Sequence, residues 1–163
     1  MKRIDDWHAK NAMQTAIIDG KELVTYKQLE ERVQERAKIL AGIPQKVILA
    51  PMSNDLDQLI NFLALIRAEK VAVPVNAGYS DQGLRDILNQ FEAPLVLTDI
   101  HTISEKAAVP LDSAEYASPS DLAFIGFTSG TTGQPKGYRR THQSWVKSFE
   151  GTNALIRQSC NQN

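Results

Sequence analysis

From Lys46 onward, short apolar runs alternate with longer stretches of helical periodicity. VILA at 47–50, VAV at 71–73, LVLT at 95–98 and LAFIGF at 122–127 read as buried strands. Pro51 is expected to stop the first, and Pro74 to fall where hydrogen bonding to the sheet ends. Between the first two, Ser53 or Asn54 can cap a helix running to about Glu69. Leu56, Leu59, Ile60, Phe62, Leu63, Leu65 and Ile66 are too many for one stripe, so this helix is expected to be buried on two sides. Ser80 starts another, with Leu84, Ile87, Leu88 and Phe91 on one face. Strands and helices alternating through short connections predict parallel pairing with right-handed crossovers. The expected fold class is α/β, a largely parallel sheet flanked by helices.

Before Lys46 the pattern is different. Residues 1–14 show little periodicity beyond a possible short helix. AII at 16–18 and LVT at 23–25, separated by Asp19-Gly20-Lys21, predict a hairpin, because Asp-Gly supplies positive φ for a tight turn. Thr25 and Gln28 then have capping-box spacing. Leu29, Val33, Ala37 and Leu40 recur along one helical face, charged residues fill the other, and Gly42 is placed to cap the end. At the other end of the chain, residues 99–120 are weakly patterned and read as a loop holding one short strand at most. After the fourth strand and a glycine-rich stretch, Tyr138-Arg139-Arg140 reads as extended chain. Thr141 caps a last helix through Trp145, Val146 and Phe149 to about Leu155. Trp145 and Phe149 read as core positions, and Arg139 and Arg140 as a solvated face.

Composition narrows the class without naming a chemistry. With 163 residues, 42% hydrophobic and 23% charged, the chain has the size and content of one globular domain, residues 1–163. A net charge of -1 gives no reason to propose nucleic acid or an anionic membrane as partner. Asp5 and Asp6 stand where a secretory signal would be apolar, and no stretch reaches transmembrane length, so a cytoplasmic protein is expected. One cysteine, Cys160, and three scattered histidines, His8, His101 and His142, exclude an internal disulfide and argue against a zinc site. No metal ligands are assigned.

The candidate chemistry lies in residues 127–137, FTSGTTGQPKG, delivered by the strand at 122–127. Glycines let the backbone approach a ligand, hydroxyls and amides donate hydrogen bonds, and one lysine neutralises charge, which together suit a polyphosphate. A flexible linker is the bland alternative, and the buried strand before the stretch argues against it. The P-loop of NTPases, GxxxxGK[ST] followed by a helix, does not fit: Pro135 precedes Lys136, Gly137 follows it, and extended chain comes next. No GxGxxG occurs.

The stretch resembles the phosphate-binding signature of the AMP-forming adenylating enzymes: acyl-CoA synthetases, amino-acid adenylation domains and luciferases. The matching residues are Thr128-Ser129-Gly130-Thr131-Thr132-Gly133, then Pro135-Lys136-Gly137, then Thr141-His142. AIIDGKELVTYKQLEERV and LVLTD are similar to the family's early strand, turn and helix and to a later strand, so the resemblance covers essentially the whole chain. It implies two steps: a carboxylate attacks the α-phosphate of ATP to give an acyl-adenylate and pyrophosphate, and a thiol, often of CoA, then takes the acyl group. It further implies that Thr128, Ser129, Thr131 and Thr132 donate to the β- and γ-phosphates, that Gly130 and Gly133 allow the wrap, and that Lys136 sits beside the departing pyrophosphate. His142 is read as a capping or packing residue at a helix start rather than a ligand contact.

Two departures from the family matter. The family usually has a glycine and a small residue where this chain has Glu69-Lys70, which puts the cap of the preceding helix in question. The family's nucleotide-base site, its Mg2+-binding acidic residue, its hinge, its C-terminal catalytic lysine and its thiol tunnel lie beyond the region matched. The chain is therefore expected to be the N-terminal portion of an AMP-binding domain, without the C-terminal domain and inactive alone. Bare sheet edges would then favour self-association. An acyl-CoA synthetase is the preferred parent. The alternatives are an amino-acid adenylation domain of a peptide synthetase and a non-catalytic module that binds a nucleotide or a partner.

Overall fold

A computed structural model of the chain describes residues 11–20, 22–53, 55–76, 78–89, 95–96, 121–128 and 136–160. Strands β1 (Thr15–Asp19) and β2 (Glu22–Thr25) form an antiparallel hairpin, with Gly20 at φ +56° in the turn. Of the Asp-Gly pair, only the glycine takes positive φ; Asp19 stays in the strand. Helix α1 (Tyr26–Ala41) starts on the expected capping box: Thr25 Oγ1 accepts from the Gln28 amide at 3.2 Å, and Gln28 Oε1 accepts from the Thr25 amide at 2.9 Å. Val33, Ala37 and Leu40 are buried and Leu29 packs against them, so the predicted stripe is the one that docks. Gly42 does cap the helix, but with φ −71° it remains right-handed, so its conformation does not require glycine.

Beyond α1 come β3 (Val47–Met52), α2 (Leu56–Arg67), β4 (Val71–Asn76), α3 (Asp81–Leu88), β5 (Leu95–Val96), β6 (Leu122–Thr128), β7 (Lys136–Thr141) and α4 (His142–Cys160). The sheet order is β5-β3-β4-β6-β7, parallel except for the antiparallel β6–β7 pair. The α/β class and largely parallel sheet are those expected.

Both prolines lie inside strands rather than at their ends. Pro51 pairs with Val75, and Pro74 with Ala50. Each falls beyond the positions where its strand has registered partners on both sides among the described residues: β5 pairs with β3 at Ile48 and Leu49, and β6 pairs with β4 at Ala72. Among the described residues, neither missing N–H therefore interrupts a two-sided ladder. Helix α2 is capped by Asp55, whose carboxylate accepts from the Asp57 amide at 2.8 Å, and not by Ser53 or Asn54. It ends at Arg67, short of Glu69. There Glu69 adopts φ +56°, its amide donates to Ile66 O at 3.2 Å, and the Lys70 amide donates to Leu65 O at 2.9 Å. This is a Schellman turn with glutamate in the left-handed position that glycine usually takes.

The sheet is covered on both faces. Ile48, Ala50, Ala72 and Phe124 meet α1, α2 and Trp145 of α4 on one side; Leu49, Val71, Val73, Val75 and Ile125 pack with Ile87 of α3 on the other. Six residues of α2 are buried, Leu56, Ile60, Phe62, Ala64, Leu65 and Ile66, which bears out burial on two sides. Arg36 bonds Asp57 and Asn61, and Arg67 pairs with Glu30, tying α2 to α1. Ser80 caps α3 through the Gly83 amide, as expected. Helix α4 begins on Thr141, whose hydroxyl accepts from the Ser144 amide at 3.1 Å, and continues past Leu155 to Cys160. The expectations for residues 99–120, for Leu97 and Thr98, and for Phe91 lie outside the described residues.

Candidate functional site

Strand β6 carries the chain through the sheet and releases it at the strand's C-terminal end, where open α/β sheets bind ligands. The chain returns as β7, antiparallel to β6, so the extended exit after the glycine-rich stretch is borne out. The two ends of the candidate loop face each other. Thr128 pairs with Lys136 across the ladder, and Thr128 Oγ1 donates to Lys136 O at 3.4 Å. Both residues are exposed. A hydroxyl and an ammonium thus flank the mouth of a hairpin, free of apolar cover. Ser129, Gly130, Thr131, Thr132, Gly133 and Pro135 lie outside the described residues.

The hairpin is fixed from below by aromatic packing. Phe124 on β6 meets Phe62 of α2, Trp145 of α4 and Tyr138 of β7 edge-on, with ring centroids 5.8, 5.3 and 6.3 Å apart. Phe62 and Trp145 also meet, at 5.6 Å. Such pairs contribute about 0.5–1.5 kcal/mol each beyond their burial. Gly126 lies opposite Tyr138, and a Cβ there would stand 2.3 Å from the ring carbon Cζ. The absence of a side chain at 126 is therefore what lets Tyr138 lie across β6. Trp145 joins the core as expected, whereas Phe149 meets Trp145 at a 44° tilt with centroids 5.4 Å apart and remains half exposed.

Arg140 is not the solvated residue that its charge suggested. It is half-buried, and its Nη2 donates to Ser144 O at 3.0 Å and to Ser148 Oγ. Sequence reasoning missed this tie. The available signal was the alternation on β7, which puts Lys136, Tyr138 and Arg140 on one face, toward α4. Arg139 is exposed, as expected.

His142 opens α4, and its amide donates to Asp121 O at 3.0 Å. Burial pushes its pKa below the ordinary histidine value, outweighing the opposite pull of Asp121 and Glu69. It lines a cavity of about 200 Å³ with Lys46, Glu69, Val71, Asp121 and Leu122. Val71 and Leu122 are the first residues of β4 and β6, so this cavity opens at the opposite end of the sheet from Thr128. His142 therefore packs at a helix start, at the opposite end of the sheet from Thr128 and Lys136. No group of three or more His, Cys, Asp or Glu among the described residues could hold a metal ion. No helix among them is long and apolar enough to cross a membrane.

Comparison with known proteins agrees with this geometry. Residues 4–162 match the family model described as AMP-binding enzyme. The chain is 29% identical over 149 residues to Gramicidin S synthase 2 of Brevibacillus brevis, covering 80% of this chain and 3% of that protein. It is 31% identical over 137 residues to a putative long chain fatty acid-CoA ligase, VraA, of Staphylococcus aureus, covering 83% of this chain and 30% of that one. Among solved structures, the NpsA N-terminal subdomain of Klebsiella oxytoca matches with a TM-score of 0.71 at 24% identity, covering 86% of this chain and 41% of that chain. O-succinylbenzoate coenzyme A synthetase of Bacillus subtilis in complex with AMP matches with a TM-score of 0.70 at 21% identity, covering 85% and 41%. These structural likenesses show the fold. The chain spans a minor part of each relative, and it belongs to the AMP-binding enzyme family.

Proposed function

We propose that this chain is the N-terminal portion of an ATP-dependent, AMP-forming acid–thiol ligase and supplies its phosphate-binding loop. The carrying observation is the hairpin itself: a buried parallel strand ends in TSGTTGQPK, and Thr128 and Lys136 face each other across its mouth. Thr128, Ser129, Thr131 and Thr132 donate to the β- and γ-phosphates of ATP, and Gly130 and Gly133 let the backbone close on them. Lys136 neutralises the charge that develops on pyrophosphate as a carboxylate displaces it from the α-phosphate. Interactions with a leaving group that strengthen as charge develops accelerate the step directly. Mg2+ would offset phosphate charge, with its ligands outside this chain. In the second step a thiol, CoA in the preferred reading, forms a thioester with the acyl group as the acyl–phosphate bond of the adenylate breaks and AMP leaves.

An acyl-CoA synthetase is the preferred parent, and the resemblance to the putative fatty acid-CoA ligase supports it. Amino-acid adenylation is the second reading, favoured by the peptide synthetases among the relatives. This chain alone is expected to be inactive, and the working enzyme to be cytoplasmic. The test is carboxylate-dependent exchange of pyrophosphate into ATP, using the full-length protein that carries this chain and a panel of fatty, aromatic and amino acids. Exchange driven by fatty or aromatic acids, followed by thioester formation with CoA, is expected. Exchange with amino acids alone would favour the second reading. No exchange with any acid would defeat adenylation. Exchange by the 163-residue chain would refute its inactivity.

A further inference from the structure

The outgoing strand of the phosphate hairpin is laddered to β6, packs Tyr138 against Phe124, and meets α4 through Thr141 and Arg140. The strand lies at the outer flank of the described sheet, with a laddered neighbour on one side. Arg140 ties it to α4, because one guanidinium nitrogen reaches both Ser144 O and Ser148 Oγ, on successive turns of that helix. Ser148 Oγ in turn donates to Ser144 O at 3.2 Å, and Ser144 Oγ donates to Thr141 O at 2.9 Å, so strand end and helix start form one polar unit. Helix α4 is itself held by Trp145 against Phe62 and Phe124 in the core. Arg140 thus connects the strand bearing Lys136 to a fixed body rather than to another surface element.

The arginine is an inefficient way to gain stability. Its Nε is buried and makes no hydrogen bond among the described residues, so desolvating the guanidinium offsets much of what the two charge-assisted bonds contribute. What remains is geometric constraint. Arg140 lies four residues from Lys136, roughly 13 Å along a strand, too far to share a phosphate oxygen with it.

We propose that Arg140 is a positioning residue for Lys136: by clamping β7 to the first turns of α4, it fixes the angle at which Lys136 meets the nucleotide. The inference rests on the phosphate reading of residues 128–136. It extends that reading to a residue that touches no ligand.

The test compares Arg140→Ala, Arg140→Lys and Ser148→Ala with the unaltered sequence, each in the full-length protein that carries this chain. Two readouts are used: ATP affinity by titration calorimetry and amide hydrogen exchange resolved by segment. Arg140→Ala should weaken ATP binding about tenfold, a smaller effect than the roughly hundredfold loss of rate that a ~1 Å misplacement of reacting groups can cause. It should raise exchange in β7 and the first turns of α4 while β3 and β4 keep their protection and the melting temperature stays nearly constant. Arg140→Lys, which retains a cationic donor on a long stem, should recover most of both effects. Ser148→Ala should show a weaker version. Unchanged affinity with unchanged β7 exchange would overturn the proposal, as would a uniform loss of protection and melting temperature across the sheet, the signature of a merely structural residue. If the unaltered full-length protein binds no ATP, the phosphate reading fails at that step. The β7 exchange pattern then decides by itself whether Arg140 clamps the hairpin.

Discussion

Glu69 offers a stability test whose size follows from the backbone. Glutamate at φ +56° occupies the left-handed region, where Cβ crowds the following carbonyl at a cost of about 1–2 kcal/mol for an ordinary L-residue. Glycine removes that cost but loses more backbone freedom on folding, about 0.5–1 kcal/mol. The turn's own bonds survive the change. The amides of Glu69 and Lys70 keep their acceptors, and Lys46 Nζ bonds the backbone oxygen of residue 69, not its carboxylate. Loss of the half-exposed carboxylate near His142 subtracts a few tenths of a kcal/mol at most. Glu69→Gly should therefore stabilise the fold by about 0.2–1 kcal/mol, which for a domain of this size raises Tm by about 0.5–4 °C. Thermal unfolding followed by circular dichroism, with urea titration to confirm an unchanged slope, measures it. Glu69→Ala is the control, since alanine removes the carboxylate but keeps the strained backbone, and it should give no gain. A glycine variant no more stable than the alanine variant would show that residue 69 is not left-handed in solution.

Three further outcomes follow from local geometry. Thr25→Ala breaks the capping box of α1 and should cost about 1 kcal/mol in urea unfolding. Gly126→Ala puts a methyl where the Tyr138 ring lies and should cost about 1–2 kcal/mol. The same change in a Tyr138→Ala background should cost much less, so a double-mutant cycle reads the contact directly. His142 has a folded pKa below its unfolded value because burial disfavours the charged ring, so the unfolded chain binds more protons. Its contribution is fully present above about pH 6.5 and is lost as pH falls below that value. His142→Asn should flatten stability across that acid window, and an unchanged pH profile would contradict the assignment.

Much of this fold is legible in the sequence because its signals are local. The Thr25–Gln28 box spans one helical turn, the α1 stripe repeats at 3.6 residues, and three apolar runs separated by two helices imply a parallel sheet whatever their exact ends. The differences arise where a residue's role depends on a distant neighbour. Whether proline ends a strand depends on how far the flanking strands extend, which Pro51 and Pro74 do not encode. Asp55 rather than Ser53 or Asn54 caps α2 because β3 runs on through Met52 and leaves less chain for the turn. Glu69 could be suspected from its departure from the family pattern, but its left-handed conformation is a property of the whole turn. At the candidate site, the motif was readable as chemistry, while its support was not. A charged residue on a strand looks solvated until the helix that receives it is in place, as Arg140 shows.

The central claim, that residues 128–136 hold the polyphosphate of ATP and that Lys136 stabilises the departing pyrophosphate, is tested most directly by one comparison. Carboxylate-dependent exchange of pyrophosphate into ATP is measured in the full-length protein with and without Lys136→Ala. Removing a group that acts on charge developing in the transition state typically costs about 10²–10³ in rate. The variant is expected to lose exchange on that scale while melting as the unaltered protein does, because Lys136 is exposed. Exchange unchanged within about twofold, in a variant that folds normally, would contradict the account.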